Sequence, residues 1–354
     1  MVTTMYKALK IIQIFVWSIV AIVIIGILGY SIKHGAGFIN LNVFNADLGE
    51  VAMVKEEAVR LESSINKLSI DCDSYDIIIK ESDTDELKVV QYAPEKTNDS
   101  ELFNITYNYN SDDNSIAITQ NDRMKVWIFG FISLSNSHRM EISIPTGYEQ
   151  ELVISTKSGD ICVDRDLKST NIEVNVLSGD ISLKNITAST VDITTKSGDI
   201  NMGETVTDSY SINTISGSIS ISKLTGKGDI KVTSGDIGIN EIDGEEVNIS
   251  TVSGDVFVRA MKGGGSIKTT SGDISVSGLD MTGDLLLSCQ SGDIDVKLVE
   301  DAAVKINAKS VSGDVRSNFG LDFNDSHSKA DGETSEGATL NLKITTTSGE
   351  ISVY

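Results

Sequence analysis

The chain has 354 residues, 40% hydrophobic but only 6% aromatic, with 30 glycines, two prolines, three histidines and a formal net charge of -22 at pH 7. That charge repels phosphate backbones and sets nucleic acid aside as a partner. The three cysteines, Cys72, Cys162 and Cys289, have neither CxxC spacing nor nearby histidines, which sets aside a zinc centre and a disulfide framework.

The acidity is unevenly placed. No Asp or Glu precedes Asp47, and Lys7, Lys10 and Lys33 are the only basic residues before it. Residues 11–29, IIQIFVWSIVAIVIIGILG, fall inside an uncharged interval between Lys10 and Lys33. At about 1.5 Å per residue such a helix crosses a ~30 Å hydrocarbon layer. A cleaved signal peptide is the rival reading, but its apolar region runs to only about 7–15 residues. The sequence therefore predicts a membrane anchor over 11–32. Lys7, Lys10 and the amino terminus outweigh Lys33, so residues 1–10 are expected in the cytoplasm and the bulk of the chain outside it, at the cell membrane.

Residues 33–64 read as a juxtamembrane linker. Within it Val51, Val54, Ala58 and Leu61 lie at helical spacing, and a linker that becomes a strand is the alternative. Residues 65–150 read as an irregular β cap containing a degenerate first coil. Ser74-Tyr75-Asp76-Ile77 falls into the register of the Ser-Gly-Asp-Ile motif that follows. Segments 85–93, 101–109, 114–120 and 138–145 look like antiparallel strands that cover an open end. The run VWIFGFISL, 126–134, is the most apolar outside the anchor and reads as core of this cap or as a contact for lipid or a partner.

From 151 to 354 the chain repeats. The motif glycines are Gly159, Gly179, Gly198, Gly217, Gly235, Gly254, Gly272, Gly292, Gly313 and Gly349, at intervals of 18 to 21 residues until a last interval of 36. A near-constant period of about 19 is the signature of a solenoid. Within each unit apolar residues alternate, as in Ile161, Val163, Ile172, Val174 and Val176, which is the period of a half-buried strand. Each coil thus reads as strand, corner, strand and Ser-Gly-Asp, stacked in parallel at about 4.8 Å and wound right-handedly. The long last interval holds a polar stretch and predicts a loop insertion over about 317–337. Two residues before the motif serine stands an inward position, occupied by Thr156, Val176, Thr195 or Cys289; Cys72 matches it, and Cys162 alternates outward.

Two chemistries are tested against this register. No nucleophile-elbow, metal-protease or phosphate-loop spacing occurs around His34, His138 or His327, so no catalytic residue and no cofactor are assigned. Asp160, Asp180, Asp199, Asp236, Asp255, Asp273, Asp293 and Asp314 form a column, with Ser218 and Glu350 completing it. A calcium ladder is one reading of that column. Turn capping is the favoured one. A carboxylate accepting backbone N–H groups gains about 1.5–3 kcal/mol, against roughly 1 kcal/mol of repulsion between exposed neighbours in water.

The tandem SGDI units, the stretch KLSIDCDSYDIIIKESDTDELKVV, the MEISIP strand and the ending ATLNLKITTTSGEISVY resemble a bacterial family of unknown function, the "putative-adhesin" or β-strand-repeat family. The likeness covers about residues 65–354. The resemblance implies an extracytoplasmic β-repeat domain with ties to Lia-type envelope-stress systems, and it carries no catalytic residues to transfer. The whole reading is an all-β, right-handed parallel β-solenoid of about 19-residue coils with an irregular N-terminal cap, preceded by one transmembrane helix. Its expected function is that of a non-enzymatic, membrane-anchored binding module for an envelope component or protein partner. Self-association is the alternative, because GEISVY ends on a strand with no cap in view.

Overall fold

The computed structural model describes residues 51–94, 97, 102–109, 114–120 and 138–354. The expected cytoplasmic segment 1–10, the anchor 11–32, the first part of the linker and the apolar run 126–134 lie outside the described residues. Among the described residues no helix is long and apolar enough to cross a membrane.

The described chain is all β, with 24 strands. The first seven are β1 (Val51–Arg60), β2 (Lys67–Cys72), β3 (Asp76–Ser82), β4 (Glu86–Pro94), β5 (Asn104–Tyr109), β6 (Asn114–Gln120) and β7 (Arg139–Pro145). The repeats contribute β8 (Glu151–Ser158), β9 (Ile161–Val163), β10 (Leu167–Ser178), β11 (Ile181–Leu183), β12 (Ile186–Ser197), β13 (Ile200–Ser216), β14 (Ile219–Ser234), β15 (Ile237–Ser253), β16 (Val256–Ser271), β17 (Ile274–Ser291) and β18 (Ile294–Leu298). The C-terminal part adds β19 (Val304–Ser312), β20 (Val315–Ser317), β21 (Asp322–Phe323), β22 (Lys329–Glu333), β23 (Leu340–Ser348) and β24 (Ile351–Val353).

The repeats stack as parallel coils in a register that the motif sets. Ser178 pairs with Ser158 and Ser197, and Ser216 with Ser234. The first inward residue after the motif forms an unbroken ladder. Ile161, Ile181, Ile200, Ile219, Ile237, Val256, Ile274 and Ile294 are all 1% exposed or less. Burying one such side chain contributes about 1.5–3 kcal/mol, so these ladders dominate the stability of a fold with few aromatics. Strands longer than a half-coil, such as β13, run through the second corner with a shift of register there.

At both ends the order of coils in space departs from their order in the chain. β2 pairs in parallel with β8 on its inner side and with β6 on its outer side. β3 likewise lies between β9 and β7. So β6 and β7, expected as antiparallel cap strands, are the two halves of an outermost parallel coil, and β2–β3 is the second. At this end, among the described residues, antiparallel pairing is confined to β5 on β6, and to β4 on β7 with β1 on β4. The helical spacing in 51–61 is realised as strand β1, which lets Val54 and Leu61 pack against the core while its backbone pairs along β4.

The C-terminal end repeats this device. β23 lies between β17 and β19, and β24 between β18 and β20. The five residues joining β18 to β19 step over that inserted coil. At about 3.3 Å each they span two coil spacings with ease. This overturns the expectation that the sequence ends on an open strand: Ile351 and Val353 are fully buried. The expected polar loop over 317–337 is also corrected. Its β22 pairs antiparallel with the outer edge of β19, and β21 with β22. The His327 carbonyl accepts the Val315 amide at 2.7 Å, which covers β20 as well. An outermost parallel strand otherwise leaves its amides and carbonyls unpaired, and the insertion supplies the partners.

Candidate functional site

The motif corner was the strongest sequence signal, and its geometry shows what each residue does there. Gly198 has a φ of +140°, a region that L side chains avoid, and a Cβ placed on it would stand 1.9 Å from the Gly179 carbonyl oxygen. Close approach of successive corners therefore demands glycine as strictly as the backbone angle does. The aspartate beside it reaches forward along the stack. Asp160 Oδ1 accepts the Asp180 amide at 2.8 Å, Asp180 Oδ1 accepts that of Asp199 at 2.8 Å, and Asp199 Oδ1 accepts that of Ser218 at 2.7 Å. Ser218 continues the chain through its hydroxyl to Asp236, more loosely at 3.4 Å. The series then resumes through Asp255, Asp273 and Asp293 to the Glu350 amide. The carboxylates thus hold the next coil's amide, where sequence reasoning had them cap their own turn.

Two members of the column differ from expectation. Asp76 joins it at the N-terminal end, where its Oδ1 accepts the Asp160 amide at 3.0 Å. The Ser-Tyr-Asp register was the signal for it. Asp314 sits on the outermost C-terminal coil, because the coil of Glu350 is inserted before it. The column runs in file, one carboxylate per coil. Among the described residues no three of His, Cys, Asp and Glu are grouped so as to hold a metal ion.

The inward position two residues before the motif serine completes the corner. Thr251, Thr269 and Thr346 donate to the glycine carbonyl of the coil before, at 3.3, 3.2 and 3.1 Å. Cys289 does the same through Sγ to Gly272 at 3.2 Å. Cys72 is buried at the matching position, where burial and the charges of Asp71 and Asp73 push its thiol up to about 12, and Cys162 is exposed on the outer face.

His138 and His327 lie at the two ends of the stack, in β7's approach and in the hairpin of β21 and β22. Each makes an aromatic contact, His138 with Tyr75 at 5.2 Å and His327 with Phe323 at 5.6 Å. His34 lies outside the described residues. At the N-terminal end a cleft of about 830 Å³ is lined by Arg60, Leu61, Glu62, Asp85, Tyr148 and Gln150, among others. Tyr148 is half committed there: its hydroxyl donates to the Glu151 carbonyl at 2.8 Å, and burial raises its pKa above the usual phenol range.

The long faces of the stack are the other accessible surface. After each motif, the first outward residue forms a row that includes Ser182, Asn201, Ser220, Gly238, Phe257 and Ser275. Small polar groups prevail, and Phe257 is the exception at 47% exposed. Sequence reasoning passed over it. The signal was an aromatic at a register position that serine, asparagine and glycine fill in the coils on either side of it.

Comparison with known proteins gives the following. The family model described as Toastrack DUF4097 matches residues 65–261 and 239–354. No curated protein matches the chain. Among solved structures it is similar to a "putative cell adhesion protein" from Clostridium sporogenes, at 14% identity over 84% of this chain and 98% of that one, with a TM-score of 0.20. It is similar to a "putative adhesin" from Bacteroides fragilis, at 14% identity over 85% and 96%, with a TM-score of 0.36. A "putative lipid binding protein" from Parabacteroides distasonis aligns at 14% identity over 85% and 96%, with a TM-score of 0.40.

Proposed function

The chain belongs to the Toastrack DUF4097 family, and from that premise we propose that it is a membrane-anchored, extracytoplasmic binding module without catalytic activity. The observation that carries this reading is the stack itself. Among the described residues eleven corners superpose in parallel register, a column of about 50 Å at ~4.8 Å per coil. Its motif side chains hold coil to coil, which leaves the long outer faces as the accessible chemistry. Such a column is rigid, because each coil is hydrogen-bonded to both neighbours.

The membrane anchor rests on the uncharged interval between Lys10 and Lys33, and the orientation on the basic residues before it. The module then lies outside the cytoplasmic membrane, N-terminus inside. There it binds an envelope component or a protein partner, in an adhesin-like or envelope-stress role. The test is protease treatment of wall-less cells followed by immunoblotting. Digestion of the repeats with the anchor fragment retained is expected. Full protection of the repeats in intact wall-less cells, with digestion after lysis, would place the module on the other side and end this reading.

A further inference from the structure

The outward face beside the motif corner carries one feature that coil stacking does not explain. Phe257 is 47% exposed, in register with Gly238 on one side and Ser275 on the other. Leaving a phenylalanine open to water forgoes part of the ~1.5–3 kcal/mol that its burial would contribute. On sheets an aromatic side chain can recover some of this by lying over a neighbouring glycine. Here it does not: a Cβ on Gly238 would have nothing within 4 Å, so the ring leaves that glycine uncovered. Nor does the backbone require glycine at 238, because its φ lies outside the positive region and no neighbouring atom would be crowded. The outcome is a notch where Gly238 lacks a side chain, between Ser220 and the half-exposed Phe257.

The groups around the notch indicate what fits it. Two residues further along the same strands, Asn240 and Arg259 are exposed on the same face, offering an amide and a guanidinium. Ser220 and Ser275 offer hydroxyls on either side. An apolar partner is disfavoured, since one ring amid small polar side chains falls short of the several hundred Å² of a typical protein interface or lipid-binding patch. An anionic partner is disfavoured by the carboxylates of Asp236, Asp255 and Asp273 along the adjoining corner. A flat group with an apolar face and a rim of hydroxyls matches both conditions.

We infer that Phe257 and the Gly238 notch form a stacking platform for a sugar ring of a neutral polysaccharide, with Asn240, Arg259, Ser220 and Ser275 available to its hydroxyls. This inference rests on the proposed role as a binding module and names the class of its ligand. The full-length chain, kept soluble in detergent, is titrated calorimetrically with cellohexaose and chitohexaose, and with an oligogalacturonate as the anionic comparator. One neutral oligomer binds the unmodified chain and Phe257→Trp. Phe257→Ala and Gly238→Leu, which removes the ring or fills the notch, weaken it tenfold or more. Melting temperatures within a degree or two of the parent show that both variants fold. Equal binding by Phe257→Ala, preference for the anionic oligomer, or no binding of either neutral oligomer each overturns the platform. Co-sedimentation with purified cell-wall material separates the two levels. Walls that bring down the parent and Phe257→Ala alike leave the module role standing while the platform falls. If the parent neither sediments nor takes up any oligomer, both are withdrawn.

Discussion

At the scale of single residues, glycine plays opposite parts in this chain. Gly198 is required twice over, by a φ of +140° and by the Gly179 carbonyl that a Cβ would meet at 1.9 Å. Gly238 is required by neither. Gly198→Ala is therefore expected to cost about 2–5 kcal/mol, the sum of a strained backbone and a forced displacement of the adjoining coil. Gly238→Ala is expected to be neutral, or to stabilise by about 0.5 kcal/mol through the unfolded chain. Thermal melting of the two variants side by side checks this, and similar melting temperatures would show that the corners yield more than their geometry implies. The aspartates belong to the same scale. From Asp76 to Asp293 each accepts the next coil's amide, so the acidic column is a device for registering coils.

At the scale of elements, the inserted strand β23 is held by a side-chain clamp that the regular repeats do not use. Asp284 accepts both the backbone amide of Asn341 at 2.8 Å and its side-chain amide at 3.0 Å. The backbone hydrogen bond first, and the side-chain bond second, hold the Asp284 carboxyl below its usual range. A lowered folded-state pKa means that the clamp is fully effective above the ordinary carboxylate pKa of about 3.9 and is lost as the pH falls through the depressed value. Amide protection relative to the intrinsic exchange rate should accordingly fall at acid pH more along β23 than along β14, and Asp284→Asn should remove that difference. Parallel acid sensitivity of the two strands, unchanged in the variant, would deny the clamp any role.

At the scale of the whole molecule, both ends of the stack are closed by a coil out of chain order, with antiparallel strands laid on its edge. The inserted coil β23–β24 carries Leu342, Ile344, Ile351 and Val353, all fully buried. Four aliphatic side chains at about 1.5–3 kcal/mol each amount to roughly 6–12 kcal/mol, as large as the net stability of a typical domain. A chain truncated after residue 339 is therefore expected to lose its C-terminal coils, expose the edges of β17 and β19, and associate. Light scattering with thermal melting reads this, and a monodisperse truncated protein of unchanged melting temperature would show that the end coil closes without the insert. The intact chain offers no such edge at β24, which removes the open-end argument for self-stacking.

The coil, its period, its inward and outward positions and the placement of all three cysteines are all legible in the order of the residues. A parallel stack repeats the same local environment every turn, so identical corners leave identical letters. Gly159 to Gly349 were legible for that reason, and so was the degenerate Ser74-Tyr75-Asp76 corner. Long-range packing sets the rest: the order in which coils are stacked at the two ends, the conversion of β6 and β7 into a true coil, and the use of 322–333 as a cover over an edge. Any two coils of this register are complementary to each other, so period and pattern do not distinguish neighbours in space from neighbours in sequence. That choice is made by which edges remain to be covered once every inward residue is buried.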